Sequence, residues 1–229
     1  MLSCGVALYT GGKDSHYAVM EALKRGVIVK RLVIVVSRKQ DSWMFHTVNI
    51  GIAEMHAELM GMESLRVEVS GVKEVEVEEL AQALEESGFL DGCDYIVTGA
   101  VASSYQKSRV DDLARRLGVK HLSPLWGRDQ EALMREEIRN LSFIVTAVQA
   151  YGLPLKLLGK VIRESELPTL LAAKRKYGVS PVGEGGEFET LVITSPLFRG
   201  GGVRVRKARA EIYPNLNAGF YVIEDLGVY

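Results

Sequence analysis

The chain has 229 residues, of which 28 are Lys or Arg and 29 are Asp or Glu, giving a formal net charge of −1. Its 47% hydrophobic and 25% charged residues are typical of a folded globular protein and exclude a largely disordered chain. A protein devoted to nucleic acid normally has a strong basic excess, and a membrane span needs about 18 consecutive apolar residues. The longest aliphatic run, Leu32–Val36, is far shorter. We therefore expect a soluble protein that binds neither nucleic acid nor membrane.

The N-terminus and the cysteines predict a cytoplasmic protein. The first residues carry no basic segment, and the short apolar stretch after them runs directly into glycines, unlike a secretory signal peptide. Cys4 and Cys93 are the only two cysteines and lie far apart in the sequence. We interpret them as neither a disulfide framework nor a C-x-x-C motif.

Strands and helices alternate through the first part of the chain. Short apolar runs predict strands, and apolar residues at helical spacing that end at a glycine predict helices. Because helices of about ten residues separate the strands, we predict a Rossmann-like parallel sheet with binding sites at the carboxyl ends of its strands. The predicted strands are Gly5–Thr10, Val27–Val36, Leu65–Val69, Tyr95–Thr98 and His121–Leu125. The predicted helices are Ser15–Arg25, one with Val48, Ile52, Met55 and Leu59 on its apolar face that ends at Gly61, Val77–Glu86, and Gln106–Leu117.

The pattern changes near Trp126, after which strands become more frequent. We therefore predict an α/β domain at residues 1–126 and a smaller α+β domain at residues 127–229. The predicted helices of the second domain are Asp129–Ile138, with Asp129 as N-cap, and Pro168–Tyr177, with Gly178 after its end. Its predicted strands are Ser142–Gln149, Glu189–Thr194, Val203–Val205 and Gly219–Ile223.

A glycine-containing loop, Tyr9–Ser15, lies between the first strand and the first helix. Two glycines let the backbone approach a ligand closely, and the free N–H groups of a helix N-terminus favour an anion. Lys13 adds positive charge, while Thr10 and Ser15 add hydroxyl groups. The spacing fits neither the Walker pattern nor G-x-G-x-x-G. The alternative is a tight turn capped by Asp14 or Ser15, with Lys13 in solvent.

Three further segments follow strands of the predicted sheet or open the helix after one. Ser42–His46 comes after the second strand, Gly99–Val101 ends a later strand, and Ser104–Arg109 opens the following helix. Their position places polar and cationic groups at the edge where ligands bind. The alternative for each segment is structural, with Met44 in the core and Arg109 in a surface ion pair.

An acidic, glycine-rich segment, Gly183–Thr190, precedes a predicted strand. Glu187 and Glu189 are two residues apart, so we expect their carboxylates to share one face of that strand, with Glu184 nearby. Three like charges on one short segment repel each other unless a cation or a proton lies among them. The alternative is a solvated hairpin tip, although the apolar residues Leu191–Ile193 favour a docked segment.

The glycine loop resembles the S-G-G-x-D-S pyrophosphate loop of the N-type ATP pyrophosphatases, with Thr10 in place of the serine. Over essentially the whole chain, the motifs together resemble one family, the diphthine–ammonia ligases, which complete diphthamide on translation elongation factor 2. The acidic segment combined with the Ser-Tyr-Gln and Leu-Trp segments is the most specific part. The matching segments are Thr10–Ser15, Ser42–Thr47, Gly99–Arg109, Leu125-Trp126 with Glu131–Glu137, and Gly183–Thr190.

The resemblance implies an adenine nucleotide alpha hydrolase-like fold, with an ATP-binding pyrophosphatase domain at 1–126 and a substrate-binding domain at 127–229. It implies that ATP adenylates the diphthine carboxylate of elongation factor 2 and that ammonia then displaces AMP, with pyrophosphate released earlier. ATP and Mg²⁺ are the expected cofactors, and elongation factor 2 and ammonium the expected partners. The sequence leaves a monomer and a homodimer both open.

The chemistry implied by the resemblance suggests a role for each motif. Lys13 would neutralise the departing pyrophosphate, Asp14 would help to hold Mg²⁺, and Arg109 would steady the α-phosphate. The predicted ATP-binding residues are Tyr9, Thr10, Gly11, Gly12, Lys13, Asp14, Ser15, Ser37, Met44, His46, Gly99 and Ala100. The predicted catalytic residues are Lys13, Arg109, Glu184, Glu187 and Glu189. The predicted substrate-binding residues are Tyr105, Gln106, Trp126, Gly185, Gly186, Phe188 and Thr190.

Other functions remain alternatives at this point. A tRNA-modifying ligase of the same superfamily would favour a basic face, and a thiolase would need paired reactive cysteines. A nucleotide sensor on the same sheet would not need the acidic segment. Zinc hydrolysis is disfavoured because the four histidines, at positions 16, 46, 56 and 121, show no H-E-x-x-H spacing. The three glutamates would either bind ammonium and take its proton or face the trimethylammonium group of diphthine, beside an aromatic wall.

Overall fold

The structure is a computed structural model, and it describes residues 3–38 and 51–229. The chain divides into two compact units, Met1–Trp126 and Gly127–Tyr229. This division falls where the alternation of strands and helices in the sequence ends. No helix among the described residues is both long enough and apolar enough to cross a membrane.

The first unit is a five-stranded sheet with helices between its strands. Its strands are β1 (Ser3–Leu8), β2 (Val27–Ser37), β3 (Glu63–Val69), β4 (Tyr95–Val97) and β5 (Lys120–Leu122), and its helices are α1 (Lys13–Lys24), α2 (Ile52–Met60), α3 (Val75–Ser87) and α4 (Ser104–Arg116). All neighbouring strands are parallel, in the order β3-β2-β1-β4-β5. The predicted Rossmann-like sheet is confirmed. The strand order reverses at β1, so the crevice between the ends of β1 and β4 is the expected ligand site.

The central strands form the core of this unit because both of their faces are covered. On one face Val33 of β2 packs in a cluster with Leu80 of α3 and Leu113 of α4. On the other face Leu32 is fully buried as well. Burial of each such side chain stabilises the fold by about 1.5–3 kcal/mol relative to exposure. The sheet is therefore a rigid base for the loops at its carboxyl edge.

Helix α2 buries only part of the face that the apolar spacing predicts. Ile52 is buried as predicted, but Met55 and Leu59 are only half-buried, Val48 lies outside the described residues, and Ala53, His56 and Ala57 are buried instead. The small alanine side chains let the helix approach the sheet closely, and His56 takes part in a buried polar cluster. The prediction was wrong here because it ranked residues by hydrophobicity alone. The helix end is confirmed, since Gly61 has a φ of 61° after the last turn.

The interpretation of the cysteines is wrong. Cys4 and Cys93 form a disulfide bond, and their Cα atoms are 4.4 Å apart. Cys4 lies at the start of β1 and Cys93 lies two residues before β4, and these two strands are adjacent and parallel. Parallel pairing brings residues that are distant in sequence to the same edge of the sheet. The cysteines therefore no longer support the expectation of a cytoplasmic protein.

The second unit contains an antiparallel sheet and two α-helices. Its helices are α5 (Gln130–Asn140) and α6 (Leu167–Tyr177), and its strands are β6 (Ser142–Val148), β7 (Phe188–Thr194), β8 (Val203–Tyr213) and β9 (Ala218–Val228). The strand order is β7-β6-β9-β8. Asp129 caps α5 as predicted, because its carboxylate accepts a hydrogen bond of 2.8 Å from the backbone N–H of Ala132. Gly178 ends α6 with a φ of 73°, also as predicted.

Strands β8 and β9 are longer than the sequence suggests. Each has 11 residues, and they pair from Val203 with Val228 to Tyr213 with Ala218. The prediction missed most of this hairpin because register shifts on both sides of Lys207 interrupt the apolar alternation, which runs through Val203 and Val205 and resumes one residue out of step at Ala208. Cross-strand ion pairs add to the pairing: Glu224 of β9 binds Lys207 and Arg209 of β8, each at 2.7 Å.

Candidate active site

The glycine loop lies where β1 and β4 end, at the reversal of the strand order. Gly99 follows β4 and touches the first turn of α1. A Cβ atom at Gly99 would lie 2.6 Å from the carbonyl carbon of Asp14 and 2.6 Å from the backbone nitrogen of Ser15. No side chain fits there without moving the backbone of the loop. Glycine at this position therefore allows β4 to support the helix N-terminus directly.

Hydrogen bonds within the loop fix its shape. Gly11 has a φ of 81°, in the left-handed region that favours glycine. The Thr10 hydroxyl accepts a bond of 3.3 Å from the N–H of Gly12 and lies 3.1 Å from the Ser15 hydroxyl. The Ser15 hydroxyl in turn donates to the carbonyl oxygen of Gly12 at 3.1 Å. The two hydroxyl groups that the sequence indicated thus stabilise the loop.

Helix α1 begins at Lys13, with Gly12 as its N-cap and no side-chain cap. The Lys13 side chain is fully buried, and its Nζ lies 2.6 Å from Oδ1 of Asp14, which is 29% exposed. The alternative with Lys13 in solvent and Asp14 or Ser15 as cap is therefore wrong. A buried cation beside the N–H groups of a helix N-terminus forms a positive site that suits a phosphate group.

A buried polar cluster lies beneath the loop. The Tyr9 hydroxyl lies 2.7 Å from Nδ1 of His16 and 2.8 Å from Nδ1 of His56. All three side chains are buried. Burial, together with the neighbouring His56, lowers the pKa of His16 to about 3, so this imidazole is neutral near pH 7. The Tyr9 side chain therefore faces the two histidines, and it supports the loop from below.

The structure describes only some of the remaining residues that are predicted to bind ATP. Ser37 is buried at the end of β2, and Ala100 is half-buried after β4. Met44 and His46 lie outside the described residues. Their predicted contacts with adenine stay a prediction.

Arg109 is engaged in a cluster on the first unit. Its guanidinium donates to the Glu74 carboxylate at 2.6 Å and lies 4.6 Å from the centre of the Tyr105 ring. Lys73 lies 5.0 Å from the same ring, so two cations of the chain itself contact it. Glu74 has a φ of 68°, an unfavourable value for a residue with a side chain. The surface ion pair proposed as an alternative for Arg109 is present, and Glu74 is a residue that the sequence analysis missed.

Trp126 and Gln106 are two other predicted substrate-binding residues of the first unit. Trp126 is 37% exposed, and Nζ of Lys107 lies 5.6 Å from the centre of its ring. The backbone N–H of Gln106 donates to the Ser103 hydroxyl, which caps α4 at 3.3 Å. Trp126 therefore has an accessible aromatic face that already attracts a cation.

A chain of polar groups at the ends of β4 and β5 was not predicted. Nδ1 of His121 lies 2.7 Å from the Asp111 carboxylate, and its Nε2 lies 2.7 Å from the Thr98 hydroxyl. The Ser123 hydroxyl lies 3.0 Å from that of Thr98. Because a carboxylate only accepts, Nδ1 carries the proton and Nε2 accepts from Thr98. Burial lowers the pKa of His121, which keeps the imidazole neutral near pH 7 although Asp111 opposes the shift. The three elements β4, α4 and β5 supply these residues, so no local motif reveals them.

In the second unit, Glu187 organises the acidic segment. Its carboxylate accepts hydrogen bonds from the backbone N–H groups of Ser180 at 2.9 Å and Gly185 at 2.7 Å. Strand β7 begins only at Phe188, so Glu187 precedes the strand and its carboxylate turns back into the loop. The backbone carbonyl oxygen of Glu187 accepts from the N–H of Gln149 at 2.8 Å, and the expectation that Glu187 and Glu189 share a face stays a prediction. A solvated hairpin tip is wrong, since the loop is held by its own carboxylate.

The other residues of this loop differ in exposure. Phe188 is buried, with 4% exposed, so it belongs to the core and is not an open aromatic wall. Glu184, Glu189 and Thr190 are half-buried, and Gly186 has a φ of 78°. Over the described ranges, no three His, Cys, Asp or Glu side chains form a group that could hold a metal ion.

Comparison with known proteins agrees with this architecture. Residues 4–121 match the model of the diphthamide synthase N-terminal domain, and residues 129–227 match that of the C-terminal domain. The chain belongs to the diphthamide synthase family. Proteins named diphthine–ammonia ligase from Mus musculus and Homo sapiens are each 36% identical over 213 residues, covering 84% of this chain and 79% of theirs. The family is one of ligases that form a carbon–nitrogen bond, and this chain is an enzyme of that class.

A relative with the same name from Danio rerio is 36% identical, with 85% of this chain and 83% of that protein covered. Among solved structures, a predicted subunit of tRNA methyltransferase from Methanocaldococcus jannaschii is 17% identical, with a TM-score of 0.45, and covers 85% of this chain and 98% of its own.

We expect Lys13→Met to lower AMP formation from ATP by about 10²–10³-fold, because methionine fills a similar volume but removes the charge beside the anion site. Single-turnover assays with labelled ATP would measure the rate, and thermal unfolding would confirm the fold. Lys24→Met removes an exposed lysine of the same helix and should leave the rate unchanged. A near-normal rate in Lys13→Met would remove the loop from the active site.

The polar chain at β5 predicts a stability effect. Thr98→Val keeps the shape of the side chain but leaves Nε2 of His121 without its donor, which should cost about 1–3 kcal/mol of the free energy of unfolding. Ser123→Ala removes only the half-buried end of the chain and should cost less. Denaturant unfolding of both variants measures the two values. Equal stability of Thr98→Val and the unaltered protein would contradict a stabilising hydrogen bond between Thr98 and His121.

Proposed function

We propose that this protein is a diphthine–ammonia ligase that uses ATP to adenylate the diphthine carboxylate of translation elongation factor 2. Ammonia then attacks the acyl adenylate and gives diphthamide and AMP. The proposal is supported by the glycine loop and the buried Lys13 at the start of α1, at the reversal of the strand order, in a chain whose two parts both match the family. Activation is needed because a free carboxylate is a poor electrophile and amide formation from it is uphill in water.

The glycine loop would bind the β- and γ-phosphates. Backbone N–H groups at the start of α1 point along the helix axis, and the buried Lys13 adds a fixed charge. Negative charge moves onto pyrophosphate as the α-phosphate is attacked, so groups already in place stabilise the transition state without reorganising. The bonds of Thr10 and Ser15 that hold the loop support this role.

Asp14 fits a magnesium ion. Its carboxylate is partly exposed at the mouth of the loop, and Mg²⁺ commonly combines one or two carboxylates with phosphate oxygens and water. A single protein carboxylate is therefore sufficient when ATP supplies the other ligands. The ion would neutralise phosphate charge, while Lys13 holds the Asp14 carboxylate in place.

Arg109 would contact the α-phosphate. It is paired with Glu74, whose carboxylate is about half exposed, and such exposed pairs contribute only about 0–1 kcal/mol. Moving Arg109 from the Glu74 carboxylate to a phosphate group therefore costs little free energy. The charge of the bound nucleotide would draw the guanidinium from Glu74 to phosphate.

The acidic segment would recognise the cations of the reaction. Glu187 already accepts two backbone N–H groups, so we assign it to the shape of the loop. Glu184 and Glu189 would then face ammonium or the trimethylammonium group of diphthine. On the first unit, Trp126 is an exposed aromatic residue suited to a cation, and a nucleotide sensor would not need the acidic segment.

We expect Glu187→Gln and Glu189→Gln to have different effects. The amide at position 187 would turn an N–H group toward a backbone donor and lose one hydrogen bond, so the free energy of unfolding should fall by about 0.5–1.5 kcal/mol. At position 189 the amide removes charge only, so diphthamide formation should fall at least about tenfold while ATP binding persists. Mass spectrometry of elongation factor 2 and calorimetry with ATP would measure these effects.

The control for this pair is Glu58→Gln, which changes an exposed glutamate of α2 and should alter neither diphthamide formation nor ATP binding. Loss of ATP binding in Glu189→Gln would indicate a structural role. Full activity in that variant would remove Glu189 from the catalytic residues.

Free ammonium should support turnover and glutamine should not. Glutamine-dependent amidotransferases use a separate glutaminase unit with a cysteine nucleophile. Cys4 and Cys93 are joined to each other, so neither offers a thiolate. Diphthamide yield from the purified protein with each nitrogen source measures this preference. Equal use of glutamine without a partner protein would contradict the proposal.

A further inference from the structure

The unit Gly127–Tyr229 has a surface groove of about 670 Å³ that the proposed chemistry does not use. Its walls are the segment around Tyr151 and the helix α6. Pro154 and Pro168 contribute apolar surface, and Lys176 and Tyr177 line the side formed by the end of the helix. We call this feature the tyrosine groove.

The tyrosine groove has a fixed shape. Gly152 has a φ of 95°, and a Cβ atom there would lie 2.1 Å from Cδ2 of Tyr177. The Tyr177 ring therefore rests directly on a glycine backbone. Tyr151 meets the same ring edge to face, with the ring centres 5.2 Å apart. Asn217 fixes the adjoining turn by donating to the carbonyl oxygen of Ala150 at 2.7 Å.

Large side chains remain exposed around this groove. Tyr151 is 73% exposed and Tyr177 is 41% exposed. Leu216, next to Asn217 in the chain, is 73% exposed. Aromatic residues with an apolar body and a polar hydroxyl are enriched where proteins bind other proteins. Exposed rings held in fixed positions lose little conformational entropy on binding.

The charge near the tyrosine groove is positive. Helix α6 ends with Lys174, Arg175 and Lys176, and among the described residues none of the three has a carboxylate within 4.0 Å. None of the residues that line the groove is acidic. Cations at a helix C-terminus interact favourably with the helix dipole. This interaction explains why basic residues end the helix, but it does not explain the exposed tyrosines. The combination fits a partner that presents both carboxylates and apolar side chains.

We propose that the tyrosine groove binds an acidic, partly apolar segment of the protein substrate. The inference rests on the proposed function only in that the substrate is a protein. A single-stranded nucleic acid also stacks on aromatic rings beside cations. The groove favours a peptide because prolines and alanines form much of its lining, and the net charge of the chain is −1.

The test measures the Michaelis constant for diphthine-bearing elongation factor 2 at saturating ATP and ammonium. Tyr151→Ala removes an exposed anchor and should raise this constant about tenfold, the size of effect that an interface aromatic produces. Lys176→Glu should raise the Michaelis constant several-fold and make this constant less dependent on salt concentration. The rate at saturating substrate and the dissociation constant for ATP should not change. Lys30→Glu reverses an exposed lysine of β2 and is the matched control.

An unchanged Michaelis constant in folded Tyr151→Ala and Lys176→Glu would overturn the proposal, as would an equal change in Lys30→Glu. If the unaltered protein binds a labelled single-stranded RNA and Tyr151→Ala does not, while the Michaelis constant for elongation factor 2 is unchanged, the groove would be assigned to nucleic acid instead. Direct binding of elongation factor 2 to immobilised enzyme separates the two proposals. If the unaltered protein binds it, Tyr151→Ala does not, and no diphthamide forms, the groove is supported and the proposed activity fails.

Discussion

The contact between Gly99 and the first turn of α1 is the constraint on which the candidate site depends. Because Gly99 has no side chain, the end of β4 lies against the backbone of Asp14 and Ser15. This contact fixes the helix N-terminus at the crevice where the strand order reverses. The direction of the N–H groups, the turn at Gly11 and the burial of Lys13 all follow from that position. The candidate anion site therefore depends on the packing of the sheet as well as on the loop.

Holding this position requires several polar groups to lose their contact with water. Lys13, His16 and His56 are all fully buried. A buried polar group is tolerated only with a partner, and Tyr9 provides one for both imidazoles. Because His16 is neutral near pH 7, it adds no positive charge beneath the loop. Lys13 lies next to the helix N-terminus, with its Nζ 2.6 Å from the Asp14 carboxylate.

The sequence predicted the sheet, the positions of most elements and the glycine loop, because local patterns determine these features. The sequence did not predict the contacts between residues that are far apart in the chain. Cys4 and Cys93 form a bond because β1 and β4 are neighbours, and the chain from Asp111 to Thr98 passes through His121 on a third element. The burial of a side chain also cannot be predicted from its neighbours in the sequence alone. The resemblance implied that Phe188 contacts the substrate, yet its ring is part of the core.

The carboxylates of the chain differ in how firmly they are held, and this difference suits different tasks. Glu187 accepts two backbone N–H groups, so moving it would lose two hydrogen bonds, each of which contributes about 0.5–1.5 kcal/mol. Glu74 instead holds Arg109 through an exposed pair, on a backbone whose φ of 68° is itself unfavourable. Release of Arg109 costs little at such a place. A firmly held carboxylate is therefore suited to shaping a loop, and a weakly held one to giving up its cation to an arriving phosphate.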